Sequence, residues 1–379
     1  MKPYSLATQK VRGFSLVELM VAITIGLIIL VAVSGIFITS KKSYNVQDRL
    51  ARLQENARFA MQFIMKDLRL AGYYGCVADF DTSTLSNSLN STTSLVFQLS
   101  NPIEGLKAGN SAWNPSGNTS MPTGSTSVTS KESACPNTIG SVCTGTDAIA
   151  VLLANPSDAS LNVTAEMADL TDPVTVASST QVKKNDIVTV ADCSHTDVFQ
   201  VTDVTTSGSN MILQHAVSST PAPGNATASL GHIYGIQGPN GNPTGELIKF
   251  VYRRYYIGTG ASGLPSLFRD GTEGQQELVE GIENMRILYG VDTDNPPDGI
   301  PNVYLKPDSI AATDWPKVVS VRVGILAMTT NDKAETTDID KNSYDIDGDG
   351  STDFTGPGDR NKRRVFLATV TLRNKHEAN

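Results

Sequence analysis

Histidine is scarce in this chain, with four in 379 residues, and none of its four cysteines sits in a C-x-x-C pair. His195, His215, His232 and His376 fall in no recognisable nucleophile or metal motif and lie at ligand spacing from no cysteine. A zinc site read from local spacing therefore lacks its ligands. Positive charge is also in short supply: 30 Lys and Arg stand against 38 Asp and Glu, a net charge of −8. Lys362-Arg363-Arg364, the densest basic run beyond the first residues, flanks an apolar stretch and reads as a solvated strand edge. Nothing here is basic enough to track phosphates, so no nucleic-acid partner is expected. Gly258-Thr259-Gly260-Ala261-Ser262-Gly263 matches G-x-G-x-x-G superficially, but Leu264-Pro265 is a poor helix start, so a hairpin loop is expected there. Serine and threonine are too abundant for any one to stand out as a nucleophile, and no enzyme is expected. Hydrophobic residues at 40% are too many for wholesale disorder.

Acid is absent from residues 1–13, which carry Lys2, Lys10 and Arg12, and proline is absent from 14–71. Residues 14–39 form an apolar run long enough to cross a bilayer, interrupted by Glu18. The basic residues ahead of it should stay cytoplasmic and place the rest of the chain in the periplasm, a single-pass inner-membrane arrangement. A cleaved secretory signal needs a shorter core with small residues after it, whereas Gly13 precedes this one. A plain membrane anchor explains the length but not Glu18, because an intramembrane carboxylate costs about 2.5–3.5 kcal/mol on insertion scales.

The stretch Gly13-Phe14-Ser15-Leu16-Val17-Glu18 resembles the type IV prepilin signature. The resemblance implies that a prepilin peptidase removes residues 1–13 by cutting after Gly13 and then methylates the new amino terminus at Phe14. Cleavage would create a cationic amine one turn from Glu18, at the positive end of the helix dipole. In a filament, Glu18 of one subunit could pair with the Phe14 amine of a neighbour.

Beyond the membrane segment Val46, Leu50, Leu53, Ala57, Met61, Ile64 and Leu68 recur at three- and four-residue spacing, the stripe of an amphipathic helix. The helix is expected to run over 14–72, with Gly72 as its stop. Arg52–Ala60 and Asp67–Cys76 resemble the W-type minor pilins, PilW. So do Ala191–Thr202, Tyr289–Asp294 and the closing Arg364–Asn374. The resemblance implies a minor pilin that primes pilus assembly in a tip complex with other minor pilins and a tip adhesin. Its further partners would be the major pilin, the prepilin peptidase and the inner-membrane assembly platform. A J-type pseudopilin of a type II secretion system shares the helix and the priming role. A single-pass periplasmic anchor with a calcium-dependent adhesive domain is a different class of protein.

The expected fold is α+β and type IV pilin-like: the long N-terminal helix, transmembrane then amphipathic, packed on an antiparallel β-rich domain over 73–379. Residues 81–146, rich in Ser, Thr, Asn, Gly and Pro, read as a loop-rich insertion. Strands are expected at 148–153, 186–190, 198–204, 211–215, 247–257, 278–289, 318–328 and 365–372, with Val318–Ile325 alternating as though one face were wet. Four cysteines behind a membrane-targeting segment suit two disulfides. Cys135 could pair with Cys143 and Cys76 with Cys193, one of three connectivities.

Two acidic loops could hold a structural Ca²⁺. Asp345, Asp347, Asp349, Ser351 and Asp353 occupy positions 1, 3, 5, 7 and 9 of an EF-hand-like loop with Gly350 at position 6. Position 12 is Gly356 rather than Glu, with Asp359 beyond it as a substitute. The alternative is a solvated acidic turn. Asp292-Thr293-Asp294-Asn295-Pro296-Pro297-Asp298-Gly299 has fewer regularly spaced acids and two prolines, and so a weaker claim.

Overall fold

The structure is a computed structural model describing residues 13, 15–73, 84–90, 101–108, 135–155, 158–221, 223–330 and 339–374. Phe14, Cys76, His376 and the basic residues of 1–12 lie outside the described residues.

Helix α1 runs from Leu16 to Leu70, 55 residues without a break, about 82 Å at 1.5 Å per residue. Ser15 caps its start by accepting the Glu18 N–H at 3.2 Å. At its end Ala71 donates to the Leu68 carbonyl and Gly72 turns the chain with φ +74°. A Cβ at Gly72 would sit 2.9 Å from the Asn374 carbonyl oxygen, so close approach as well as the turn requires glycine. Only the second half of the helix is covered. Leu53, Ala57, Ala60, Met61, Ile64, Met65 and Leu68 are buried, whereas Leu50 of the expected stripe is exposed. Each large apolar side chain so buried contributes about 1.5–3 kcal/mol.

The strands are β1 (Leu85–Asn87), β2 (Ile103–Leu106), β3 (Ala148–Ala154), β4 (Leu161–Asn162), β5 (Val174–Ala177), β6 (Ile187–Ala191), β7 (Thr196–Gln200), β8 (Asp203–Ser207), β9 (Asn210–Gln214), β10 (Glu246–Thr259), β11 (Pro265–Gly271), β12 (Gln276–Glu280), β13 (Ile282–Val291), β14 (Val303–Leu305), β15 (Val318–Met328), β16 (Ser343–Tyr344), β17 (Phe354–Thr355) and β18 (Arg363–Thr371). The long β10 is the spine of a nine-stranded sheet, pairing β6 and β4 at one end and β3 and β11 at the other. A four-stranded antiparallel sheet has the order β14-β13-β15-β18. Strands β5-β9-β8 and β16-β17 form two small sheets. The helix stripe shares one core with Tyr255, Met285, Tyr289, Trp315, Val321, Val323 and Ile325.

A buried ion pair fastens helix to sheet. The Asp67 carboxylate accepts hydrogen bonds from Arg253 Nη1 at 3.0 and 3.1 Å and from the Tyr255 hydroxyl. Nearby, Asn56 Nδ2 donates to the Glu280 carbonyl at 3.0 Å.

Several local expectations change. The single strand at 278–289 is two, broken at Gly281, whose φ of +80° no β-branched neighbour could adopt. The strand at 198–204 also splits, because Asn225 takes both the N–H and the carbonyl of Gln200. Within 81–146 the short β1 and the fully buried β2 join the large sheet. The wet face expected for Val318–Ile325 is covered: ten of the eleven residues of β15 are buried, with Tyr304 stacked on Arg322 and the 345–353 loop lying over Gly324. Gly258 and Thr259 end β10, and the residues from Gly260 to Leu264 close the β10–β11 hairpin, Gly260 N–H donating to the Leu264 carbonyl at 2.8 Å.

Candidate functional site: assembly helix and acidic loops

From Leu16 to Ser43 every helix residue is exposed, including Leu16, Val17, Leu19, Met20, Ile28 and Phe37. This is the one helix among the described residues long and apolar enough to cross a membrane. Glu18 stands in its first turn, and among the described residues no basic side chain pairs with it. Gly13 is exposed just ahead of the cap; Phe14 lies outside the described residues. A long apolar surface with one acid near its tip suits insertion into a bilayer or a helix-packed filament.

The 345–353 loop is bracketed by the β16–β17 ribbon and pinned on the outer face of the four-stranded sheet. Ile346 is fully buried, and its carbonyl oxygen would be 1.8 Å from a Cβ at Gly324. Carboxylate oxygens of Asp345, Asp347 and Asp353 lie within 4.8 Å of one another. Asp345 accepts the N–H groups of Gly348 and Gly350 at 2.7 and 2.9 Å. Asp353 accepts that of Ile346 at 2.8 Å and faces Arg286 Nε at 3.4 Å. Asp347 is buried, and its Oδ2 has no hydrogen-bond donor. The nearest cation to that oxygen is Lys306 Nζ at 3.6 Å. Burial first, and then repulsion from Asp353, pushes the Asp347 carboxyl up to about 6. Asp349 and Ser351 turn elsewhere: Asp349 accepts the Ser351 N–H and hydroxyl and pairs with Lys306 at 3.1 Å. The bonds from Ser351 hold its carboxyl down at about 2. Three of the five sequence candidates therefore converge. Asp359 does not join them, being held by Arg363 and Asn361.

Arg363 corrects the reading of 362–364 as a solvated edge. Its side chain is 1% exposed and meets Glu283, Asp340 and Asp359. The planar fork of an arginine satisfies several carboxylates at once. Single-residue reading could not see this, since the three acids lie 4 to 80 positions away.

In the other acidic loop, Asp292 spends both oxygens on the backbone, accepting the N–H groups of Asp294, Asp298 and Gly299 at 3.0, 2.9 and 2.7 Å. It acts as the staple of a turn. Those bonds hold its carboxyl below the ordinary range.

Cys135 and Cys143 are joined by a disulfide that closes the loop ahead of β3. Cys193 is disulfide-bonded as well; Cys76, its expected partner, lies outside the described residues. Next to Cys193 the fold assembles a group that spacing could not reveal. Asp192 Oδ2 accepts from His232 Nε2 at 2.9 Å, and the His232 ring stacks on His195 with centroids 4.2 Å apart and planes 7° apart. Parallel rings place a metal in the plane of one histidine well outside the plane of the other. As arranged, the trio is a hydrogen-bonded stack.

Family models match two stretches of the chain. Residues 8–34 match the prokaryotic N-terminal methylation motif, and residues 254–374 match type IV pilus-assembly protein W. No curated protein and no solved structure matches. A methylation-motif amino terminus, a long apolar helix and an antiparallel β-rich domain define the type IV pilin class. Within it, the match from β10 through β18 supports a PilW-like type IV minor pilin. The resembling stretches at 52–76 and 191–202 lie outside the matched residues.

Proposed function

We propose that a prepilin peptidase cuts this minor pilin between Gly13 and Phe14, that the new terminus is methylated, and that the subunit primes type IV pilus assembly. It acts within a tip complex of minor pilins and a tip adhesin, entering from the inner membrane through the assembly platform and meeting the major pilin below. The observation that carries this reading is the divided helix. Its second half is locked to the sheets by Asp67–Arg253, and its first half is uncovered, with Glu18 meeting no basic side chain among the described residues. A carboxylate costing about 2.5–3.5 kcal/mol in a bilayer is retained where a neighbouring subunit's terminal amine offsets it. Mass spectrometry of the mature protein should find a chain beginning at N-methyl-Phe14; an intact Met1 or another cut overturns the reading. Glu18→Ala should insert into the membrane normally and reduce pilus number severalfold. Unchanged piliation points to a simple anchor, and lost secretion with normal pili to a pseudopilin.

The 345–353 loop is proposed as a structural Ca²⁺ site, with Asp345, Asp347 and Asp353 as its carboxylate ligands. The support is the buried Asp347 oxygen without a donor, aimed among two further carboxylates. A hard dication suits an all-oxygen set. Chelation should lower the melting temperature of the intact chain in detergent, and Asp347→Ala with Asp349→Ala should remove the response. A melting temperature indifferent to both chelator and added Ca²⁺ returns the loop to an acidic turn.

A further inference from the structure

Strand β18 is the edge of the four-stranded sheet, pairing β15 on one side and no strand among the described residues on the other. It is nine residues long and free of proline, and Leu367 is 48% exposed. Proteins usually shorten, kink or cover such an edge, because its open backbone groups template pairing with another chain. Here the strand instead forms one wall of a groove of about 1140 Å³ whose opposite wall is the α1 segment from Gln54 to Leu70. The floor is apolar, with Met61, Met65, Phe366 and Ala368. The helical wall runs about 24 Å, the length of roughly seven extended residues.

The charge around this groove is of one sign. Arg58, Lys66, Arg69 and Arg364 line it, all exposed, and no acid does. None of the four forms an ion pair among the described residues; Arg58 and Arg364 lie over Phe59 and Phe366 instead. On a chain of net charge −8 this is a local reversal. We infer that the groove receives an extended segment of another pilus subunit, which adds a strand to the free edge of β18, seats alternate apolar side chains between helix and sheet, and carries acidic residues facing the four cations. Strand addition supplies backbone hydrogen bonds whatever the sequence, while the cations select the partner and its register.

The inference rests on the chain entering a pilus, so the experiment scores the two separately. A photoreactive residue is placed at Gln62 on the helix wall or at Leu367 on the strand in the full-length protein of piliated cells. Sheared pili are first probed for the subunit: its absence there defeats the proposed function. With the subunit in pili, crosslinks should map to one extended, acid-bearing segment of a different subunit. Arg58→Glu with Arg364→Glu should cut crosslink yield on the order of tenfold, and acid-to-lysine changes in the mapped segment should restore it. Both arginines are exposed and form no ion pair among the described residues, so folding is spared. Crosslinks to lipid, to a helix or to a second copy, no crosslink, or a yield indifferent to charge reversal each overturn the proposal.

Discussion

Replacing Asp67 by alanine should be among the most damaging single changes in the globular part. The carboxylate is 3% exposed and the Arg253 side chain 5%. In its absence Arg253 keeps, among the described residues, Glu273 at 2.8 Å from Nε, and the Tyr255 hydroxyl the Phe63 carbonyl at 3.5 Å. Removing one member of a buried pair costs about 3–5 kcal/mol, mostly from the stranded charge. For a domain of this size that corresponds to a melting temperature lower by roughly 6–20 °C. The pair need not itself be a net stabiliser, which supplies the control. Asp67→Met with Arg253→Met removes both buried charges, leaves the half-buried Glu273 with Arg269 at 3.5 Å, and should fall within about 2 kcal/mol of the parent. The assay is thermal unfolding of the full chain in detergent, followed by the near-ultraviolet dichroism of Trp315, Tyr255 and Tyr289 in the shared core. A single variant within about 1 kcal/mol of the parent, or a double variant as unstable as the single, refutes the reasoning.

Acid should loosen the sheet at β18. Asp359 is held below its ordinary range by the Arg363 hydrogen bond. Asp340 is held there too: burial raises it, but hydrogen bonds from Asn342, Tyr344 and Arg363 more than offset this. A depressed folded value contributes stability that is present above the unfolded carboxylate value of about 4 and is lost as pH falls through the folded value. Stability should therefore decline below about pH 4, and Arg363→Met should flatten that part of the pH profile; an unchanged profile refutes the assignment. Gly324→Ala should displace the 345–353 loop, since its Cβ would lie 1.8 Å from the Ile346 oxygen. A loss of about 1–3 kcal/mol is expected, together with weaker stabilisation by added Ca²⁺; an unperturbed melting curve would show that the loop does not rest on β15.

The fold was legible where one residue's chemistry conflicts with its immediate neighbours or repeats at a fixed period. Val318–Met328 reads as a strand from its β-branched residues alone, and the helix stripe follows from three- and four-residue spacing. Burial was less legible, because it depends on what lies across the fold. Alternation along β15 suggested one wet face, which Tyr304 over Arg322 and the docking of Ile346 on Gly324 close. Glycine at 324 was the available signal, an interior strand position without a side chain. The acidic loop was legible as a spacing pattern, yet spacing could not tell that Asp349 would turn to Ser351 and Lys306 while Asp347 became buried. Arg363 and the Asp192–His232 pair were invisible for the same reason: their partners are 4 to 80 and 40 residues distant.

Glu18 and Asp67 put this contrast on one helix. Both are single acids on an apolar face, and both would be costly there if left alone. Asp67 obtains Arg253 and Tyr255 from its own chain, so its burial is a folding matter and its replacement is read in a melting curve. No basic side chain among the described residues meets Glu18, and the surface around it is uncovered over the whole first half of the helix. On the proposed reading Glu18 pairs with the terminal amine of a neighbouring subunit, and replacing it should leave the melting curve of the monomer unchanged while pilus number falls. The two variants together separate what the helix does for the fold from what it does for assembly.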